Sequence, residues 1–302
     1  PTYGRLSRYG LIAYASSLDC PGIIAGNVTD AARVLEIVDG FDARDCNSVR
    51  SQPFFADQGD VKPDLTGVTI GIPNEFHVAE LGDEARETWQ QGIDWAEELG
   101  ARVVSVSIPS IPLALPVYYV IAPAEASSNL SRYDGLRYGP CVPLQPDSNY
   151  DDVITANRTN GFGPEVRRRI LIGTFLLSNA AMSDYFVKAQ RIRAQLMKEF
   201  RSVFLDGGVD CLLTPTALTD APTFADIERG NDDHLTTYAN DVMTVPASLT
   251  GLPAISLPAR LSSRSLPLGI QLIGNAFDEQ ALFRIARVME SRIQFPSLQS
   301  ML

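Results

Sequence analysis

A mixed α/β fold, a mixed β-sheet covered by helices, is what these 302 residues predict. The first observation is a strand–helix–strand succession. An apolar run at residues 68–72 precedes an amphipathic stretch, 83–99, with Ala85, Trp89, Ile93 and Ala96 on one stripe, and a second apolar run follows at 103–108. Short joins make this a βαβ unit, hence a parallel pair with a right-handed crossover. The second observation is a hairpin signature. Apolar runs at 254–257 and 268–273 flank a polar turn at 262–265. The third is the helical pattern that surrounds these strands on both sides in sequence.

The elements follow in order. Residues 28–40 predict a helix, with Asn27 or Thr29 as cap, Ala31, Leu35 and Val38 on one face, and Gly40 as stop. Pro53, Gly59 and Pro63 break the chain into a loop. Residues 109–116 are proline-dense and leave the sheet; 118–131 predict a helix; 135–163 read as loop. Pro164 suits the first turn of a long helical stretch reaching residue 205, with a break near Ser178. Residues 209–213 predict a strand, and Asp278 caps a last helix that runs to residue 291.

Composition narrows the function classes. A net charge of -11 argues against this piece gripping an RNA backbone, which needs a concentrated basic surface. No apolar run approaches the ~20 residues of a bilayer span. Cys20, Cys46, Cys141 and Cys211 are scattered, with His77 and His234 the sole histidines, so buried free thiols are expected rather than a disulfide framework or a zinc site. The lysines Lys62, Lys188 and Lys198 lack the context of a catalytic base, and the isolated histidines make a Ser-His-Asp triad improbable.

Four segments carry a more specific signal. They are residues 4–19 (GRLSRYGLIAYASSLD), 118–139 (YYVIAPAEASSNLSRYDGLRYG), 161–175 (GFGPEVRRRILIGTF) and 238–258 (YANDVMTVPASLTGLPAISLP). On physics alone the first is a Gly-punctuated loop and a strand. In this order, the four resemble the amidase-signature family, and the second and third resemble its glutamyl-tRNA(Gln) amidotransferase branch. The similarity covers nearly the whole chain. Two positions depart from the pattern: Cys20-Pro21-Gly22 stands where bacterial members carry Gln, and Ala25-Gly26 where the family has Thr-Arg.

The resemblance implies an amidase-signature fold. It places the Lys/Ser/Ser catalytic segment upstream of residue 1. The chain is thus expected to be the C-terminal part, residues 1–302, of a single amidase-signature domain, and to be inactive alone. Ser16, Ser17, Ser127 and Ser128 are not the catalytic serines on this view. The implied activity is that of a glutaminase component. It releases ammonia from glutamine, through a glutamyl-enzyme intermediate, for ATP-dependent conversion of Glu-tRNA(Gln) to Gln-tRNA(Gln). By similarity, Arg169 faces the glutamine carboxylate, Asp241 faces its amino group, and Tyr118 lines the same pocket. Physics asks for such a cation and anion around a free amino acid, but alone it would leave Arg169 a helix-surface arginine and Asp241 a cap. The implied partners are the amidotransferase's B subunit, which would hold tRNA, ATP and Mg, and a small third subunit. No cofactor is expected in this chain. The rivals are a general amidase-signature amide hydrolase and a non-catalytic assembly subunit. The wording around Cys20-Pro21-Gly22 points to a mitochondrial compartment, with the cytoplasm as alternative. Exposed apolar surface is expected beside strands at Ala13, Ile255 and Ile270.

Overall fold

The computed structural model describes residues 1–56, 63–143, 147–225 and 240–296. Contacts cluster in two compact units that alternate along the chain. One takes residues 1–9, 20–115 and those from 194 on; the other takes 10–19 and 116–193.

The first unit is built on a five-stranded sheet in the order β2-β1-β3-β5-β4. The strands are β1 (Thr69–Pro73), β2 (Arg102–Val106), β3 (Cys211–Pro215), β4 (Ala254–Leu261) and β5 (Pro267–Gly274). β1 pairs in parallel with β2, Ile70 opposite Val103, and with β3, Ile70 opposite Cys211. β5 runs antiparallel to β3 and to β4, as the predicted hairpin requires, with a register shift between Pro258 and Arg260. Every residue of β1 and β3 is buried, which explains their continuous apolar runs: a strand covered on both faces has no polar side to alternate with. No residue of β2, at the edge, is fully buried.

Two helices pack on this sheet and on each other, α2 (Asp83–Glu98) and, late in the chain, α8 (Glu279–Ile293). Gly92 lets α2 come close, because a Cβ there would lie 3.2 Å from the Ile270 side chain. Trp89 is buried among them and its Nε1 donates to the Leu213 carbonyl at 3.0 Å, so its polar atom is satisfied. α1 (Val28–Val38) packs on α8, with Asn27 accepting from the Asp30 amide at its start. Its buried face is Val28, Ala32 and Leu35 rather than the expected Ala31, Leu35 and Val38; Val38 is half exposed. α7 (Val245–Thr250) precedes β4.

A buried charge cluster ties the chain start to this unit. Arg5 donates from Nη1 to Asp39 Oδ2 at 3.0 Å and to the Gln52 carbonyl, and from Nη2 to the Phe277 carbonyl. Its Nε lies 2.9 Å from Glu279 Oε2, an ion pair with poor hydrogen-bond alignment. Arg5, Asp39 and Glu279 are all nearly inaccessible.

The second unit is helical. It contains α3 (Ala114–Asn129) from residue 116, α4 (Tyr150–Gly161), α5 (Pro164–Leu176) and the first turns of α6 (Lys188–Leu205). α5 crosses α3 at Gly173, where a Cβ would come within 2.5 Å of the Pro123 carbonyl carbon. The expected break near Ser178 is present: α5 ends at Leu176, and a π-helical turn, Ser183–Val187, leads into α6. α4 was not expected, since residues 135–163 read as loop. An Asn149–Asp152 capping box starts it. The preceding connection is held by Asn157, which donates to the Asp134 carbonyl and accepts from the Val142 amide.

Residues 10–19 form turns, not the expected strand. The Asp19 carboxylate accepts from the amides of Tyr14 and Ala15, and the amides of Leu18 and Asp19 donate to the Ala15 carbonyl. Bonds satisfied within the loop are lost to a ladder. Exposed apolar side chains adjoin Ala13 but are not Ile255 or Ile270 themselves. Ile270 is fully buried and Ile255 half-buried, whereas Leu11, Ile12, Ile37, Leu171 and Phe175 are exposed. Among the described residues no helix is long and apolar enough to cross a membrane.

Candidate functional site

Arg169 sits on α5, in its second turn, where Pro164 starts the helix and Glu165 lies one turn earlier. Its Nε donates to Glu165 Oε1 at 2.8 Å, an i,i+4 pair, and its Nη1 donates to the Tyr14 hydroxyl at 3.1 Å. The guanidinium carbon stands 5.8 Å from the Tyr119 ring centre, within cation–π range. Tyr119 in turn meets Tyr118 edge to face at 5.0 Å. Arg168 Nη1 bonds the other Glu165 oxygen, so two guanidiniums share one carboxylate. Burial disfavours the Arg169 charge. The bonds to Glu165 and Tyr14 outweigh it and hold the guanidinium pKa above its ordinary value.

The loop that presents Tyr14 is anchored along its length. Asn129 Nδ2 donates to the Tyr14 carbonyl and to Ser16 Oγ. Ser17 donates from its amide and from Oγ to Glu125, and accepts from Arg193 at 2.6 Å. The Ser17 hydroxyl proton is thus committed to a carboxylate in a structural network. Ser127 Oγ donates back to the Ala124 carbonyl within its own helix.

The second unit therefore brings Arg169 and Tyr118 into one neighbourhood. Tyr14 and Tyr119, which sequence reasoning did not select, touch Arg169 directly. Tyr119 adjoins Tyr118, and Tyr14 stands inside residues 4–19; no spacing rule singles either out. Asp241 belongs to the first unit. It is exposed, in the 3-10 turn Asn240–Met243, and its carbonyl accepts from the Thr244 amide at 3.1 Å.

The first unit also carries a cleft of about 440 Å³ lined in part by Thr216, Asp220, Ser256 and Gly269. Its carboxylate is occupied: Arg264 and Ser262 both bond Asp220 and lower its pKa. None of the expected site residues lines it. Lys188 and Lys198 are exposed on α6, whereas Lys62 and His234 lie outside the described residues. Of the four cysteines, only Cys211 is buried, and burial pushes its thiol pKa up; Cys20, Cys46 and Cys141 are exposed, against expectation. Among the described residues no group of three or more His, Cys, Asp or Glu could hold a metal ion.

A family model described as Amidase matches residues 1–283. The chain belongs to the amidase family. It is 48% identical, over 291 residues, to the A subunit of glutamyl-tRNA(Gln) amidotransferase from Azorhizobium caulinodans, covering 96% of this chain and 57% of that one. With the corresponding protein of Rhizorhabdus wittichii it shares 47% identity over 98% of this chain and 58% of the relative. The chain thus spans little more than half the length of these relatives. The crystal structure of the glutamyl-tRNA(Gln) amidotransferase A subunit from Thermotoga maritima superposes with a TM-score of 0.75 at 38% identity, covering 96% of this chain and 56% of that one. A peptide amidase from Stenotrophomonas maltophilia, 22% identical with a TM-score of 0.71 over 97% of this chain and 57% of its own, shares the fold. The amidase-family fold predicted from the four segments is therefore present. The mitochondrial placement is overturned, because these relatives are bacterial.

Proposed function

We propose that this chain is the glutamine-holding part of the A subunit of a glutamyl-tRNA(Gln) amidotransferase. The observation that carries this is the Arg169 cradle in a chain 48% identical to a protein of that name. Glu165 and Tyr14 fix the guanidinium, and the Arg168–Arg169–Glu165 group retains one net positive charge, which suits the α-carboxylate of a free amino acid. Tyr118 is the proposed wall of the Arg169 pocket, and Asp241 the proposed partner of the glutamine α-ammonium. The lysine and two serines of the amide chemistry would lie in the part of the enzyme not contained in these residues. Ammonia released there would pass to the B subunit, which would bind ATP and Mg and hold tRNA, with a small third subunit completing the assembly. The net charge of -11 agrees with tRNA being held elsewhere.

The test compares nitrogen donors in the complete amidotransferase. Arg169→Ala and Asp241→Ala each remove a charge-assisted contact worth about 1.5–3 kcal/mol, so glutamine-dependent kcat/KM falls about 10- to 100-fold while ammonia-dependent transamidation persists. Equal loss with both donors would refute the clamp.

A further inference from the structure

The Tyr14 hydroxyl has one hydrogen-bond partner among the described residues: it accepts from Arg169 Nη1 at 3.1 Å. A phenol carries one proton to donate as well as lone pairs to accept. With a lone pair engaged by a guanidinium, which has no acceptor, that proton remains to be placed. Tyr14 does not drift in solvent. It is half-buried, its amide is bonded to Asp19 Oδ2 at 2.9 Å and its carbonyl to Asn129 Nδ2 at 3.0 Å. The hydroxyl is therefore a fixed neutral donor directly beside a fixed cation.

We propose that Tyr14 is a specificity residue of the same site, donating its O–H to the carboxylate that Arg169 pairs with. The ligand class is an α-amino acid with a free carboxylate. This rests on the glutamine reading of Arg169 and adds a second carboxylate donor from a different segment of the chain. A carboxylate has two oxygens and about four lone-pair sites, so guanidinium and phenol together can bind both oxygens. A carboxamide in its place would offer one acceptor oxygen and turn an N–H towards one of these donors. Tyr14 thereby separates free glutamine from glutamine whose carboxyl is in amide linkage, as in a peptide. Burial raises the Tyr14 pKa and the bond to Arg169 offsets part of the rise, so the group stays protonated at neutral pH.

The experiment uses the complete amidotransferase with three nitrogen donors: glutamine, glutaminamide and ammonia. Tyr14→Phe is expected to raise the glutamine KM about 10-fold, near the lower end for a hydrogen bond to a charged group, and to narrow the preference for glutamine over glutaminamide about 10-fold. Ammonia-dependent activity is expected to be unchanged. Arg169→Lys, run in parallel, separates the two claims. If Arg169→Lys impairs glutamine use and Tyr14→Phe leaves KM and the glutaminamide discrimination intact, the Tyr14 proposal fails and the Arg169 assignment stands. If Arg169→Lys has no effect on glutamine, both fail. A Tyr14→Phe loss that is equal for all three donors means that the hydroxyl is structural, and overturns the proposal.

Discussion

Replacing Gly173 with Ala tests the link between helix packing and the site. A Cβ at this position would come within 2.5 Å of the Pro123 carbonyl carbon, closer still to its oxygen, and 2.9 Å from Ser127 Cβ. Carbon atoms at rest stay about 3.5–4.0 Å apart, so α5 must withdraw from α3 by about 1 Å. Overpacking of this kind costs about 1–3 kcal/mol. Alanine returns about 0.5–1 kcal/mol as the better helix former, leaving a net loss of about 0–2.5 kcal/mol. The displacement also reaches the site. Arg169 lies one turn before Gly173 on α5, and Tyr119 one turn before Pro123 on α3. Tyr14 is tied to α3 through Asn129. A 1 Å retreat of α5 would stretch the Arg169–Tyr14 bond from 3.1 Å to about 4 Å, past hydrogen-bond reach. Thermal melts and glutamine kinetics on the complete enzyme measure both consequences. The expected result is a lower Tm and a higher glutamine KM, with ammonia-dependent turnover retained. An unchanged or raised Tm together with an unchanged KM would refute the close-crossing argument.

Two further predictions concern stability. Arg5→Met strands Asp39 and Glu279 as buried carboxylates without their cation, and should cost about 3–5 kcal/mol by denaturant titration; a loss below about 1 kcal/mol counts against the cluster. Asp45 is held at a pKa of about 2 by the Arg8 side chain, helped by the backbone amides of Arg8 and Asn47. The folded value lies below the unfolded ~3.9, so its contribution is complete above about pH 4 and is lost as pH falls towards 2. Asp45→Asn should flatten that part of the stability–pH curve, and an unaltered slope would exclude the pair as its source.

Much of the first unit was legible because period and burial agree. β1 and β3 are apolar on both faces, and α2 carries a stripe that meets them. α4 was not, because its buried positions, Val153 and Asn157, are few and one of them is polar; the Asn149–Asp152 capping box was the one local signal. The supposed strand near Ala13 failed for a different reason. Its apolar residues are contiguous, but Asp19 takes the amides that a ladder would need. At the site, Arg169 and Tyr118 were reached through resemblance to a family. Tyr14 and Tyr119 emerge from contacts across about 150 and 50 residues, which no local pattern encodes.

The central parallel pair of the sheet sets a clock on folding. The amide of Thr69, the first residue of β1, is closed by Asp210 just before β3, 141 residues later. At a synthesis rate of about 5–20 residues per second, β1 waits on the order of 10 s for that neighbour. During this interval residues 116–193, most of the helical unit, leave the ribosome, and their short-range pairings can form first. β1 and β2 meanwhile offer bare apolar faces to whatever else is present. Yield in the cell should therefore depend more on translation speed and chaperone supply than on the final stability of the sheet.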